Sequence, residues 1–534
     1  MRNSTIQLHR LARIAWLIVA VAVFGIALAV RIRLLSMPLE RDEGEYAYAG
    51  QLMLEGISPY KLVYNMKFPG TYAAYALMMS IFGQTITAIH LGLLLVNAAT
   101  VCLIFVLGRR LLDPIAGLSA AASYAILSLL GCVLGLAAHA THFVVLPVVA
   151  GTLLLLNRSE RRVLARLFVS GLLFGCAVLM KQPAVFFALF AVTCLLVEHS
   201  RPLHFRQLAT RIFVFTVATI FPFAFICALF WSLGVFDKFW FWTVYYSREY
   251  ATLVPLSQAG RVFANAVAPI IGAAWPLWAL AAIGLLLGVW RAPIRGVTVF
   301  VFWLLVCSFL ALCPGFYFRP HYFILLLPAL SLLIGITSST LSRIGYSKTL
   351  WPIPLLLCAA AFSVSLSSER KLFFQDSPVE ACRTIYPESP FLESIRIANY
   401  LRDHTNPTDT VAVLGSEPQI YFYAKRHSAT GYIYMYGLME GQKYARRMQA
   451  EMEREIEAAR PKYLVSVVMS DSWLPRPGSD RQIFVWADEY TGKNYEVVGF
   501  VNLMAPGRSD YYFDEIPSSV AQLGQYILIY KRKS

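Results

Sequence analysis

A dense group of charged residues, Arg41–Pro69, follows the first long apolar segment of the chain. Two adjacent carboxylates, Asp42 and Glu43, stand just outside a hydrophobic span, where charge is costly unless it faces water, a cation or a partner. They suit a general base for a hydroxyl nucleophile, or ligands to a hard divalent cation beside phosphate. Lys67 precedes the next apolar helix and suits pairing with phosphate. The alternatives are a helix N-terminus for the carboxylates and a snorkelling lysine.

Other cations fall at the ends of later apolar segments. Each alone fits a snorkelling side chain, but together they suit a phosphate leaving group opposite an activated hydroxyl. Tyrosines of the charged loop indicate either an aromatic belt at the membrane surface or a sugar-binding surface. The candidates are Lys181 in LMKQP, Arg248 in YYSREY, Arg319 with His321 and Tyr322 in FRPHY, and the loop tyrosines Tyr46, Tyr60, Tyr64, Tyr72 and Tyr75.

Composition restricts the class of protein. Hydrophobic residues make up 58% of the 534 residues and charged residues only 14%, which indicates a polytopic membrane protein. The formal charge of +15 is explained better by basic loops on one side of a membrane than by nucleic-acid binding. The nine cysteines include no CxxC pair, so they support neither a zinc site nor a disulfide framework.

The apolar pattern predicts a bundle of about eleven transmembrane helices, most of which reach the ~17–25 residues that a spanning helix needs. Basic residues at Arg109–Arg110, Arg201, Arg291 and Lys348 fall on one side of this bundle, which the positive-inside rule makes cytoplasmic. The charged loop, Lys181 and Arg319 then lie on the outer side. The predicted spans are 14–30, 85–107, 115–135, 140–156, 165–180, 184–198, 210–232, 263–290, 297–313, 321–339 and 349–366.

The composition changes at about residue 367. We therefore predict a transmembrane domain over residues 1–367, with its first outer loop at 36–83, and an outer soluble domain over 368–534. In that tail, segments 390–404 and 441–460 have a helical pattern, and 410–415, 462–468, 495–503 and 526–530 have a strand pattern. Alternating helices and strands predict a small α/β domain.

The motifs resemble those of the GT-C glycosyltransferases. The first outer loop, with Asp42–Glu43 and then Lys67 before Phe-Pro, is similar to that of the protein O-mannosyltransferase and aminoarabinose–lipid A transferase superfamily. LMKQP resembles a recurrent LTKGP turn, and Arg319 to Tyr322 with a later Leu-Pro resembles an Arg-x-x-Tyr signature. The likeness covers about residues 10–340.

This resemblance implies an outer-facing cavity and a polyprenyl-phosphate monosaccharide as donor. The acceptor would be a hydroxyl of a lipid, glycan or protein, and the transfer would invert the sugar's configuration. Asp42 would be the catalytic carboxylate with Glu43 beside it, and Lys67 would contact the donor phosphate, with Arg248 assisting. A bacterial-type inner membrane with a periplasmic site is expected. Met66 replaces a Glu of the aminoarabinose branch, so a divalent cation is left open.

A transporter or flippase of a lipid-linked saccharide is the alternative function. Such a protein would use the same cations and aromatic residues without making a bond. It predicts charged residues within the spans and paired halves with broken helices. In this chain the charges lie at span ends and no internal repeat is seen, which favours the enzyme.

Overall fold

A computed structural model describes residues 2–157, 159, 161–197, 205–344, 352–504, 508–516 and 524–533. Arg201 and Lys348, which the sequence assigns to cytoplasmic loops, lie outside the described residues. The described chain is mostly helical, with one sheet near the C-terminus. Its 3₁₀ and π-helical segments are Gly131–Val133, Gln182–Ala184, Phe241–Tyr246, Pro314–Phe316 and Pro320–Leu326.

The α-helices are numbered in chain order. Helices α1 to α9 are Arg2–Arg33, Arg41–Leu54, Gly70–Phe82, Ile86–Leu111, Pro114–Leu127, Ala140–Leu155, Val163–Met180, Val185–Val197 and Phe205–Ser232. Helices α10 to α17 are Phe236–Trp240, Ser247–Ala251, Leu256–Ala273, Trp275–Trp290, Ala292–Leu312, Leu327–Ile344, Ile353–Ser368 and Arg370–Phe374. Helices α18 to α24 are Pro378–Ile385, Phe391–Asp403, Gln419–Ala424, Tyr436–Met439, Ala445–Ala459, Ser470–Trp473 and Gln482–Asn494.

The chain forms two compact units. The first contains Met1–Leu35, His90–Ala228 and Val254–Asp376, and the second contains Ser36–Ile89, Leu229–Leu253 and Ser377–Ser534. The charged loop after α1 therefore belongs to the same unit as the C-terminal region, although more than 280 residues separate them in the sequence. The predicted division at residue 367 stays a prediction.

The apolar helices support an integral membrane protein, but the count of eleven spans is not confirmed. Within the described residues, six helices are long and apolar enough to cross a membrane, or up to seven if a bent pair is one span. Five further apolar helices have 10–17 residues. The bent pair is the predicted segment 263–290, which breaks at Ala274 with an angle of 101°. Pro276 explains the break, since proline has no N–H and restricts the residue before it.

The second unit contains a mixed six-stranded sheet with the order β2-β1-β3-β6-β4-β5. The strands are β1 Thr410–Leu414, β2 His427–Ser428, β3 Tyr463–Val468, β4 Tyr495–Leu503, β5 Ser509–Phe513 and β6 Tyr526–Arg532. Strand β1 pairs in parallel with β2 and β3, and the other pairings are antiparallel. The sheet predicted near the C-terminus is present, and the four strands and two helices expected in the tail are confirmed; a separate α/β domain over 368–534 stays a prediction.

Helix α2 carries the predicted carboxylates. Glu40 and Glu43 form a reciprocal capping box at its start, and Gly56, with φ +80°, follows its end. This local chemistry explains why the helix begins at Arg41 rather than later. Residues on all faces of α2 are buried, where the helix packs against α3 and α20. An aromatic belt at the membrane surface, one of the two alternatives for the loop tyrosines, was wrong for Tyr60, Tyr72 and Tyr75, which are each 1% exposed or less.

Gly44 sets how closely α2 approaches α20. A Cβ at this position would lie 2.6 Å from the backbone nitrogen of Gln419. We expect Gly44→Ala to lower the unfolding free energy by about 1–3 kcal/mol, because the two helices must separate. Thermal unfolding of the detergent-purified protein measures this. Gly441→Ala is the control, since a Cβ there meets nothing within 4 Å, and equal unfolding temperatures for both variants would contradict the close packing.

Candidate functional site

The second unit brings the predicted Asp42 and Lys67 together. Lys67 Nζ lies 2.7 Å from Asp42 Oδ1 and 2.8 Å from Glu45 Oε2. Asp42 and Glu45 are three residues apart on α2, so their side chains share one face of the helix. Lys67 comes from the loop before α3, which Tyr60 fixes by donating a hydrogen bond to the Lys67 carbonyl, 2.7 Å away. The ammonium group thus lies between two carboxylates.

Glu45 is the buried member of this group, with no exposed side-chain surface. Its carboxylate also accepts hydrogen bonds from Asn65 Nδ2 at 2.8 Å and from the Tyr72 hydroxyl at 2.6 Å. Burial raises the pKa of Glu45, and the charge of Lys67 opposes that rise. Burial alone would lower the pKa of Lys67, but Asp42 and Glu45 hold it well above its ordinary value. Lys67 is therefore protonated at neutral pH.

Two tyrosines surround the ammonium group of Lys67. Its Nζ lies 4.5 Å from the ring centre of Tyr46 and 5.3 Å from that of Tyr434, distances at which cation–π attraction acts. The Tyr434 hydroxyl also donates a hydrogen bond to Asp42 Oδ1, at 3.2 Å. Tyr46, predicted to bind substrate, thus contacts the lysine, and Tyr434 contacts both charges.

Glu43 faces a different environment from Asp42. Its carboxylate accepts a hydrogen bond from the Glu40 backbone N–H at 3.2 Å, completing the capping box, and the residue has no exposed surface. Its role beside Asp42 in catalysis stays a prediction. The carboxylate that shares Lys67 with Asp42 is instead Glu45, which the sequence analysis did not select.

Tyr64 lies in a separate aromatic cluster of the second unit. Its hydroxyl donates to Glu455 Oε1 at 3.0 Å, its ring stacks on Trp242 with centres 5.8 Å apart, and Lys238 Nζ lies 4.3 Å above it. Trp242 belongs to the π-helical segment Phe241–Tyr246. Arg248 follows on α11 beside Glu249, which pairs with Lys443 at 2.9 Å.

The first unit gathers three other predicted residues. Lys181 Nζ lies 3.8 Å from the ring centre of Tyr322, and the rings of Tyr322 and His321 are in edge contact with centres 4.8 Å apart. His321 stacks on His139 at 4.0 Å. Arg319 lies over the ring of Tyr317 at 5.6 Å. The structure thus brings Lys181, His321 and Tyr322 together within the first unit, and their predicted role in a site stays a prediction.

The carboxylates of Asp42 and Glu45 are the candidate ligands for a divalent cation in the second unit. Asp42 and Glu45 converge on one point, as two ligands of a divalent cation would. The ammonium group of Lys67 lies at that point, within 2.8 Å of both. A cation bridging these carboxylates would have to displace Lys67, so the pair does not fit a metal in this arrangement.

The comparisons with known proteins concern both sequence and fold. Residues 67–231 match the family described as dolichyl-phosphate-mannose-protein mannosyltransferase. ArnT from Cupriavidus metallidurans bound to undecaprenyl phosphate superposes with a TM-score of 0.56 at 14% identity, covering 93% of this chain and 98% of that one. The chain has the fold of the GT-C glycosyltransferases. The resemblance that the sequence motifs predicted is confirmed. No curated protein sequence matches the chain significantly.

Two oligosaccharyltransferase structures extend this GT-C comparison. AglB from Archaeoglobus fulgidus, in complex with an inhibitory peptide and a dolichol-phosphate, matches with a TM-score of 0.50 at 13% identity. The same archaeon's enzyme tethered with an acceptor peptide matches equally well. Each match covers 94% of this chain and 75% of the other.

Sequence reasoning missed Glu45 and Tyr434. A signal existed for Glu45, because a carboxylate three residues after Asp42 lies on the same helical face. Tyr434 carried no signal, since 392 residues separate it from Asp42 and only the fold of the second unit brings them together.

The buried carboxylate of Glu45 gives a prediction about stability. The Glu45 carboxylate accepts three hydrogen bonds, from Asn65, Lys67 and Tyr72. Glu45→Gln replaces one accepting oxygen by an N–H₂ group, which would then face one of these donors. We expect the unfolding free energy to fall by about 2–4 kcal/mol. Thermal unfolding tests this, with Glu55→Gln as control, because Glu55 is 44% exposed at the other end of the helix. A Glu45→Gln protein as stable as the control would contradict the assigned contacts.

Proposed function

We propose that this protein moves a monosaccharide from a polyprenyl-phosphate donor to a hydroxyl group of a lipid, glycan or protein. The observation that carries the proposal is the contact of Asp42 with Lys67 in the first outer loop of a chain with the GT-C fold. That fold is shared with proteins whose structures hold undecaprenyl phosphate or dolichol-phosphate. The family match covers residues 67–231, which include Lys67 and Lys181.

The proposed reaction is a single displacement. The acceptor oxygen attacks the anomeric carbon, and the bond from that carbon to the phosphate oxygen breaks. The electron pair of that bond leaves with the polyprenyl phosphate, the configuration of the sugar inverts, and Asp42 takes the hydroxyl proton. A correctly placed base contributes about 10²–10⁴-fold to such a step.

Lys67 has two roles in this proposal. Its ammonium group holds Asp42 at a fixed position through the 2.7 Å contact, and its positive charge favours the developing phosphate charge. The second role requires the phosphate to share Lys67 with Asp42 and Glu45. Lys181 and Arg319 are proposed as further donor-phosphate contacts, with Arg248 assisting.

We propose that the reaction takes place on the periplasmic side of a bacterial-type inner membrane, as the basic loops indicate. The comparisons give the transporter alternative no support. Comparing cells with and without the gene tests the proposal, using mass spectrometry of lipids, surface glycans and envelope proteins. We expect one class of molecule to lose a single sugar residue in the deletion and to regain it with the wild-type gene but not with Asp42→Asn. Identical profiles in all strains would contradict the proposal.

A further inference from the structure

The sheet of the second unit has a crevice of the kind that binds ligands in α/β proteins. Strand β1 lies between β2 and β3, and all three are parallel. The chain leaves β1 towards β2 on one side and later enters β3 on the other. In parallel sheets, ligands bind beyond the carboxyl ends of the strands where the connections diverge in this way. Here that position lies beyond Leu414 and Val468.

An internal side chain, Arg41 of α2, occupies this crevice. Its Nε donates to the carbonyl oxygen of Ser416 at 2.6 Å, and its guanidinium pairs with Glu417 at 3.1 Å. Its Nη1 donates to the Tyr436 hydroxyl at 2.6 Å. Glu417 is fully buried and also accepts from Ser472 Oγ at 2.6 Å. The Arg41 guanidinium thus takes the place of a bound ligand. It is held by residues 416 and 417 after β1 and by Tyr436 in the connection from β2 to β3.

Gly415 makes room for this arrangement. A Cβ at Gly415 would lie 2.5 Å from Glu417 Oε2 and 2.8 Å from Ser472 Oγ. The close approach lets Glu417 fold back over the end of β1 to meet Arg41. Burial raises the pKa of Glu417, while the positive charge of Arg41 opposes the rise, as expected for a carboxylate whose burial depends on its partner.

The residues around Arg41 also extend to Asp42, the proposed catalytic carboxylate. Ser416 Oγ accepts a hydrogen bond from the Met435 backbone N–H at 2.8 Å, which fixes the segment 434–436 to the end of β1. On one side of Met435, Tyr436 contacts Arg41, and on the other Tyr434 donates to Asp42 Oδ1. Two adjacent residues of α2 are therefore held by two tyrosines of one short segment.

We propose that Tyr434 and the Arg41–Glu417 pair are positioning residues that hold Asp42 for catalysis, so that the C-terminal domain completes the catalytic site. This inference rests on the proposed function. Tyr434 restrains the carboxylate directly, and the Arg41–Glu417 pair restrains the start of the helix that carries it. The domain thus acts on the chemical step, in contrast to a cover that only limits access to a cavity.

Tyr434→Phe and Glu417→Gln test the inference in purified protein. The assay measures release of undecaprenyl phosphate from synthetic undecaprenyl-phosphate-linked mannose, glucose, galactose and aminoarabinose, with a membrane extract as acceptor. Because a hydrogen bond to a charged group is worth about 1.5–3 kcal/mol, we expect Tyr434→Phe to lower kcat about 10- to 100-fold. Glu417→Gln should lower kcat about tenfold, and the donor KM should stay within about twofold in both, because ground-state binding is unchanged.

Tyr48→Phe is the matched control. Its hydroxyl also joins α2 to the C-terminal region, accepting from the Ser428 backbone N–H at 2.7 Å, away from Asp42. We expect its kcat to equal that of the wild type. A normal kcat in Tyr434→Phe, or an equal loss in Tyr48→Phe, would overturn the inference while leaving the proposed function intact. If Tyr434→Phe does not fold, Glu417→Gln decides by the same criteria. A wild-type protein that releases no undecaprenyl phosphate overturns the proposed function and, with it, this role.

Discussion

Asp42→Asn is expected to lower kcat for sugar transfer by about 10³-fold, the middle of the range for a lost general base. Asparagine keeps the shape of the side chain but cannot take the acceptor's proton. It also removes one of the two carboxylates that hold Lys67, so the donor phosphate should bind no more weakly than before. The expected signature is therefore a large fall in kcat with a donor KM that is unchanged or lower.

The control for Asp42→Asn is Glu55→Gln on the same helix. Glu55 follows the last turn of α2 and pairs with His427, where both side chains are almost half exposed. Exposed pairs contribute about 0–1 kcal/mol to stability, so this variant should keep wild-type kinetics. Asp42→Asn with at least half of the wild-type kcat would rule out the carboxylate as base.

Lys67→Met should lose both activity and stability. Methionine has a similar length but carries no charge, so Asp42 and Glu45 would be left beside one another without their shared cation. Removing one partner of a buried charged pair costs about 3–5 kcal/mol, and the loss of positive charge at the phosphate should lower kcat/KM by about 10²–10³-fold. Chemical unfolding and donor-cleavage kinetics measure the two effects separately. Lys61→Met is the control, because Lys61 is an exposed lysine of the same loop.

The stability loss in Lys67→Met should depend on pH. Without the lysine, burial and the charge of Asp42 raise the pKa of Glu45, opposed by the hydrogen bond from Tyr72, so the folded variant binds a proton more tightly than the unfolded chain. Such a group stabilises the fold fully below its unfolded pKa of about 4.3, and this stabilisation is lost as the pH rises through the folded pKa. The difference from wild type should therefore be smaller at pH 5 than at pH 8.

A double variant checks the cause of that loss. Replacing Glu45 by Gln in the Lys67→Met background removes the uncompensated buried charge, so the double variant should be more stable than Lys67→Met alone at pH 8. If the double variant lost as much stability as the two single variants together, Glu45 and Lys67 would not interact. The contact at 2.8 Å predicts a coupling of about 1 kcal/mol or more.

Local sequence signals predicted a large part of the fold. The strands of the tail have continuous apolar runs bounded by polar residues, and the predicted helices 390–404 and 441–460 correspond to α19 and α22. The start of α2 was predicted from acidic residues that favour a helix N-terminus. These features depend on neighbours in sequence, which is why reading the chain alone sufficed.

Tertiary contacts account for what the sequence could not predict. Tyr72 looks like an interfacial residue in sequence, yet its hydroxyl donates to Glu45 inside the second unit. Arg41 reads as a loop charge but is buried against Glu417, which is 376 residues away. The count of eleven spans is not confirmed, because composition does not show where an apolar segment ends or bends, as at Ala274.

The most direct test of the account is the fate of the donor lipid. Purified protein is incubated with undecaprenyl-phosphate-linked sugars and a membrane extract, and mass spectrometry follows the lipid. Cleavage of the bond at the anomeric carbon predicts free undecaprenyl phosphate in an amount equal to the sugar found on an acceptor. Asp42→Asn should form both products about 10³-fold more slowly. Donor that stays intact with wild-type protein, as a transporter would leave it, or equal cleavage by Asp42→Asn, would contradict the account.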